Sequence, residues 1–61
     1  MSVYKTMEHV TNKTIDKMCD RYTSLGWKEV DISGTPNHIE TVTFEIECDG
    51  FPTYPVTSDI K

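Results

Sequence analysis

Residues that bind metals or build disulfide frameworks are scarce in this sequence. It has two cysteines and two histidines in 61 residues, and no two of the four lie closer than ten positions apart. A structural zinc site usually draws four such ligands from short paired spacings, so we expect no metal. Two cysteines are also too few for the disulfide framework of a small secreted domain. Cys19 and Cys48 leave two alternatives, one bond between them or two small buried thiols.

Long apolar runs are absent as well. No stretch approaches the ~20 apolar residues of a transmembrane helix. Ser2–Val10 alternates polar and apolar residues and has no apolar run of the kind found in signal peptides. We therefore expect a cytoplasmic protein.

Positive charge is in the minority. Six basic residues against ten acidic ones give a net charge of −4. Nucleic-acid binders usually carry a basic stripe, and anionic membrane surfaces attract basic segments, so this balance argues against both partners. It leaves a basic protein surface as a suitable partner.

Catalytic motifs are also missing. The three glycines are scattered, so there is no glycine-rich phosphate loop. Cys19 lies between Asp16 and Asp20, and negative neighbours oppose the thiolate that a catalytic cysteine needs. We expect a non-enzymatic protein with no cofactor.

The chain is organised around one amphipathic helix between Thr11 and Trp27. Its apolar positions are spaced three and four apart, as one buried helix face requires. They are Ile15, Met18, Cys19, Tyr22 and Leu25.

The sequence has a recognisable residue at the start of the helix and another at its end. Thr11 is the predicted N-cap, with Asn12 as the competing candidate, and Val10 and Ile15 occupy the two positions of a hydrophobic staple. Gly26 is the predicted C-terminal stop in a left-handed conformation, which would bring Trp27 against Tyr22. Gly26 and Trp27 are therefore predicted structural residues.

Three segments have the pattern of strands: Ser2–Val10, Trp27–Ile32 and Ile39–Cys48. In the last, Val42, Phe44, Ile46 and Cys48 alternate with polar residues, which predicts one buried and one wet face. We expect Val3 and Met7 of the first strand to point inward. Val30 and Ile32 of the second should do the same. Ser33–His38 has the composition of a loop.

The predicted fold is α+β: one helix on a small three-stranded, mostly antiparallel sheet in the order β-α-β-β. Residues 1–50 form this domain, and residues 51–61 form a C-terminal tail with Pro52 and Pro55. We expect the tail to lie along the sheet edge, to bend toward a partner, or to be partly free. A domain of this size buries only about 60% of its unfolded surface, so self-association would help it.

Two stretches resemble a recurring pattern. Tyr4-Lys5-Thr6 on the first strand and Leu25-Gly26-Trp27-Lys28-Glu29-Val30 at the helix-to-strand turn are similar to small uncharacterised bacterial and phage domains. The resemblance covers roughly the first two-thirds of the chain. It implies a strand–helix–strand–strand layout and a phage context of binding to a host component, and it assigns no catalytic residue.

Our functional prediction is a small acidic protein that acts by occupying a protein partner, such as a phage-encoded inhibitor of a host or defence protein. The predicted contact residues are Glu45 and Glu47 on the wet sheet face, with Phe51 and Tyr54 in the tail. Glu29, Asp31 and Asp49 are expected to extend that acidic face. A homo-oligomer that sequesters a small ligand or nucleotide signal between subunits is one alternative. An accessory assembly subunit is another.

Overall fold

A computed structural model describes residues 1–60 of the chain. The elements are β1 (Ser2–His9), α1 (Ile15–Thr23), β2 (Lys28–Thr35) and β3 (His38–Cys48). β3 lies in the centre of a three-stranded sheet and pairs antiparallel with both neighbours. β1 and β2 therefore run parallel to each other at the two edges. This is the predicted α+β fold, with one helix and an antiparallel sheet.

The N-terminal end of the helix is stabilised by a pair of threonines. The Thr11 hydroxyl accepts the backbone N–H groups of Lys13 and Thr14 at 3.2 and 3.3 Å and so caps the turn that leads into the helix, whereas the N-cap of the regular helix is Thr14. In return, the Thr11 N–H donates to the Thr14 hydroxyl at 2.8 Å. This exchange follows the logic of a capping box with threonine in place of glutamate. Residues 12–14 form a turn, and the regular helix begins at Ile15.

The C-terminal end of the helix is a Schellman motif. The Trp27 N–H donates to the Tyr22 carbonyl at 3.1 Å, and the Gly26 N–H donates to the Thr23 carbonyl at 3.1 Å. Gly26 has φ +94°, the left-handed conformation that the motif requires. The rings of Tyr22 and Trp27 meet edge to face with centroids 5.5 Å apart, so the predicted contact is confirmed.

The hydrophobic core lies between the helix and one face of the sheet. Val42 and Phe44 of β3 are both 0% exposed. The other buried apolar residues come from the helix and its flanks: Val10, Ile15, Met18, Tyr22 and Trp27. Cys19 is half-buried, while Leu25 is exposed. The prediction that Leu25 lies on the buried helix face is wrong because the helix ends at Thr23 and Leu25 falls in the turn that follows.

The first strand faces opposite to its predicted orientation. Val3 and Met7 are exposed, whereas Thr6 and Glu8 are half-buried and lie opposite Phe44 and Val42 of β3. Polar side chains are tolerated beneath the helix because they find partners there. Among residues 1–60, no buried side-chain nitrogen or oxygen lacks a hydrogen bond.

The second strand departs from its predicted pattern in length and in facing. It continues to Thr35, so only Pro36 and Asn37 remain as the turn before β3. A register shift lies between Glu29, opposite Phe44, and Asp31, opposite Thr43. This bulge places one extra residue in β2. The side chains before the bulge therefore point to the opposite face from the one that strict alternation predicts.

The bulge has consequences for two predictions. Glu29 shares the helix side of the sheet with Phe44, so it does not extend the acidic outer face. Val30 and Ile32 are exposed and do not form part of the buried core. Their exposure follows from the position of β2 at the sheet edge.

The tail contains no helix or strand over residues 51–60, and exposed residues alternate in it with half-buried ones. Lys61, the last residue of the predicted tail, lies outside the described residues. Ile60 packs against the hydrophobic core. Over the described chain, no helix combines the length and apolarity needed to cross a membrane.

Candidate functional site

The single helix covers one face of the sheet and leaves the outer face, the side away from the helix, uncovered. Odd-numbered residues of β1 and of residues 41–47 in β3 point to this side because their even-numbered neighbours face the core. Val3 and Met7 lie here, 53% and 57% exposed. The residues that we predicted to be inward thus supply apolar contact area on the outer face.

Charges on the outer face are mixed. Glu45 lies opposite Lys5 on one side and opposite Lys28 on the other. The Lys5 ammonium is 4.0 Å from a Glu45 carboxylate oxygen, in an ion pair that remains partly exposed. Glu47 lies opposite Val3 and is exposed. Both predicted glutamates are on the outer face as expected, but lysines accompany Glu45, so the face alternates in sign.

The acidic extension of the outer face is smaller than predicted. Glu29 is on the helix side of the sheet, and Asp49 lies 3.5 Å from the N-terminal ammonium. Asp31 remains on the outer side, opposite Thr43. A partner of this face would therefore meet both signs of charge.

The two predicted aromatic contact residues have different surroundings. Phe51 is 95% exposed, directly after the turn that ends β3. The Tyr54 ring packs against Trp27 with centroids 5.1 Å apart and planes tilted by 46°. Since Trp27 belongs to the core on the helix side, Tyr54 is separated by the sheet from Glu45 and Glu47.

Arg21 holds the tail, a role that its sequence context did not reveal. Its guanidinium donates to both carboxylate oxygens of Asp59 at 2.8 and 2.7 Å and to the Val56 carbonyl at 2.6 Å. The Arg21 hydrogen bond is the main cause that lowers the pKa of Asp59 to about 2. The same pair raises the pKa of Arg21. Asp59 lies 38 positions away from Arg21, too far for a local pattern to connect them.

Both cysteines are free and half-buried. Burial raises the pKa of the Cys19 thiol, and the negative charges of Glu29 and Asp16 raise it further. This is opposite to the environment of a reactive thiolate. The Cys48 sulfur lies 3.9 Å from the Gly50 carbonyl oxygen.

His9 and His38 line one open groove of about 520 Å³, together with Val10, Thr11, Ile39, Glu40 and Thr41. The sequence suggested two isolated histidines, and the β1–β3 pairing brings them to one end of the sheet. No group of three or more metal-binding side chains occurs within residues 1–60.

Comparisons with protein-family models, with curated proteins and with solved structures found no match to this chain. The resemblance to small bacterial and phage domains therefore remains a prediction.

Proposed function

We propose that the protein is a small non-enzymatic binding domain that acts by occupying a protein partner through the outer face of its sheet. The observation that carries this proposal is the pairing of exposed Val3 and Met7 with charges of both signs on an uncovered face. Protein interfaces combine apolar contact with polar groups in this way. Two strand edges flank the same face and offer backbone groups for pairing.

The proposed class of partner rests on the resemblance to small bacterial and phage domains. Small phage domains of this layout support a host or defence protein as the target, and inhibition by occupancy as the mode of action. Phe51 supports a protein partner of any kind, because an aromatic side chain that is almost wholly exposed loses its contact with water when a partner covers it. Glu47 supplies an exposed carboxylate for a basic group of that partner.

The proposal is tested by capture with matched variants. The immobilised chain is incubated with a bacterial lysate, and the same experiment is run with Met7→Lys and Thr23→Lys. Met7→Lys places a charge on the outer face, whereas Thr23→Lys adds the same charge at the exposed helix C-terminus, where the helix dipole tolerates it. A protein retained by wild type and Thr23→Lys but lost with Met7→Lys supports the proposal. Equal capture by all three overturns it.

A second function is favoured by the groove that His9 and His38 line. In that case a homo-oligomer sequesters a small ligand, and the groove would be completed between subunits. Light scattering at several protein concentrations tests the required self-association. A constant mass of 7.0 kDa would exclude this alternative. A dimer that is stabilised against heating by small ligands would favour it over protein binding.

A further inference from the structure

The strand β1 has one neighbour in the sheet and leaves its other edge without a partner. It pairs with β3 alone. Within residues 1–60, no backbone hydrogen bond joins β1 to the helix or to the tail. An unpaired strand edge exposes N–H and C=O groups that can bond to another strand. The free edge of β1 is therefore a surface on which a further strand can be added.

One hydrogen bond shows which residues of β1 direct their backbone groups to this edge. The Val10 N–H donates to the Glu40 carbonyl at 2.9 Å, and these two residues continue the register of the β1–β3 ladder. Hydrogen-bonded and non-hydrogen-bonded pairs alternate along an antiparallel ladder. The even-numbered residues of β1 therefore bond to β3, as Val10 does. The odd-numbered residues direct their N–H and C=O groups to the free edge, and these are Val3, Lys5, Met7 and His9.

The free edge of β1 is regular, whereas the free edge of β2 is not. All 8 residues of β1 pair with β3 without a register shift, and none of them is proline or glycine. In β2 the register shifts after Glu29 and again after Ser33. Bulges on an edge strand hinder the addition of another strand. Of these two edges, β1 is the one that presents evenly spaced backbone groups along its whole length.

The sequence of β1 fits a second copy of itself. When two β1 strands pair antiparallel through their free edges, an odd-numbered residue lies opposite an odd-numbered residue. A pair centred on Thr6 uses all of residues 3–9. It places Val3 opposite His9 and Lys5 opposite Met7 of the second copy, so no like charges oppose each other. A pair centred on Lys5 would instead oppose two ammonium groups, which is destabilising.

The charge of Lys5 is compatible with this pairing. Lysine on an edge strand usually discourages the approach of another strand. Here the Lys5 ammonium lies 4.0 Å from a Glu45 carboxylate oxygen of the same chain, which partly compensates its charge. Its aliphatic stem can cover the exposed Met7 of the second copy. The pairing thus covers apolar surface that the single chain leaves in water.

We propose that two copies of the chain pair antiparallel through β1, centred on Thr6, and so join their sheets into one. Opposite residues of an antiparallel pair point to the same face. Both helices therefore lie on one side of the joined sheet and both outer faces lie on the other. Val3 and Met7 of the two copies meet at the centre of the joined outer face. The pairing stands independently of any partner that this face binds.

Light scattering of the full-length chain, from micromolar to millimolar concentration, tests the pairing. The mass of wild type should rise from 7.0 kDa toward twice that value. Lys5→Pro removes an N–H that β3 does not use, so it should keep the fold of the single chain and abolish the rise. Lys5→Ala is the matched control, because it removes the same side chain but keeps the N–H, and it should dimerise like wild type. Circular dichroism verifies that Lys5→Pro is folded.

Amide hydrogen exchange locates the contact without any substitution. In dilute wild type, the amides of Lys5 and Met7 should exchange fast, whereas β3 protects those of Thr6 and Glu8. At high concentration, exchange at Lys5 and Met7 should slow by about tenfold or more. Exchange at Thr6 and Glu8 should change much less. This alternation tests the proposal even where Lys5→Pro does not fold.

A mass of 7.0 kDa at every concentration overturns the proposal, as does a folded Lys5→Pro that dimerises like wild type. It is also overturned if Lys5→Ala is as monomeric as Lys5→Pro, because the side chain and not the backbone then holds the copies together. Concentration-dependent protection that is confined to β2 would place the contact at the other edge of the sheet, and this result too would overturn it.

Discussion

The hydroxyl of Tyr22 on the helix donates a 2.6 Å hydrogen bond to Oε2 of Glu8 on the first strand. The same ring lies parallel to Phe44 of the central strand with centroids 4.1 Å apart. Tyr22 thus joins the helix to two strands, one through a polar contact and one through stacking. Burial, followed by the bond to Glu8, raises the pKa of Tyr22, so the hydroxyl stays a donor over the ordinary pH range.

Removal of the Tyr22 hydroxyl should destabilise the fold. Tyr22→Phe keeps the stacked ring but leaves the half-buried Glu8 carboxylate without its donor, and we expect a loss of about 1–2 kcal/mol. Tyr4→Phe is the matched control, since the Tyr4 hydroxyl donates to the Gly50 carbonyl at an exposed site. Its cost should stay below about 0.5 kcal/mol. Urea unfolding measures both, and equal costs would contradict the importance of the Tyr22–Glu8 bond.

Two glycines with positive φ should respond differently to alanine. Gly34 has φ +114°, and an added Cβ would lie 2.5 Å from the His38 carbonyl oxygen. Gly50 has φ +81° with nothing within 4 Å of an added Cβ. Gly50→Ala should therefore lower the free energy of unfolding only by the cost of placing alanine in the left-handed conformation, about 1–2 kcal/mol. Gly34→Ala must also move the β2–β3 hairpin and should cost clearly more. Thermal unfolding of the two variants tests this, and a smaller loss for Gly34→Ala would show that the hairpin adapts freely.

The elements that sequence predicted well are those fixed by local rules. The alternation of β3 follows from Val42 and Phe44 at a strict period of two. The helix ends follow from Thr11 and Gly26, whose capping contacts involve residues at most five positions away. The fold class then follows from one amphipathic helix and three strands.

The features that sequence did not predict depend on distant partners. β1 turns Tyr4 and Glu8 toward the helix, and Glu8 is accommodated there because the distant Tyr22 hydroxyl donates to it. The bulge after Glu29 changes the facing of β2, and a period-two pattern gives no sign of an extra residue. The contact of Arg21 with Asp59 lies outside any local window. The surroundings of the predicted contact residues depend on the same distant pairings, as the position of Tyr54 against Trp27 shows.

Cys19 should react slowly with alkylating reagents near neutral pH. Burial, Glu29 and Asp16 all raise its pKa, which lowers the thiolate fraction that reacts. Glu29→Gln removes one of these causes and should accelerate alkylation about two- to fivefold. Asp20→Asn removes a charge that is not among the causes, so it should leave the rate nearly unchanged. The rates are read by mass spectrometry in a Cys48→Ser background. If both substitutions changed the alkylation rate equally, the overall negative charge of the protein, and not the nearby Glu29 carboxylate, would control the reactivity of Cys19.

Acid should weaken the docking of the tail before it unfolds the domain. The pKa of Asp59 is lowered from 3.8 to about 2 by Arg21, so this ion pair stabilises the docked tail fully above pH 3.8 and stops doing so as the pH falls through about 2. Trp27 is the single tryptophan and touches Thr53 and Tyr54, so its emission reports release. We expect the emission of wild type to change in this pH window while the far-ultraviolet circular dichroism stays constant. Asp59→Asn has no carboxylate to protonate and should show no step in this window. Identical profiles for the two proteins would mean that the Arg21–Asp59 pair does not control the docking of the tail.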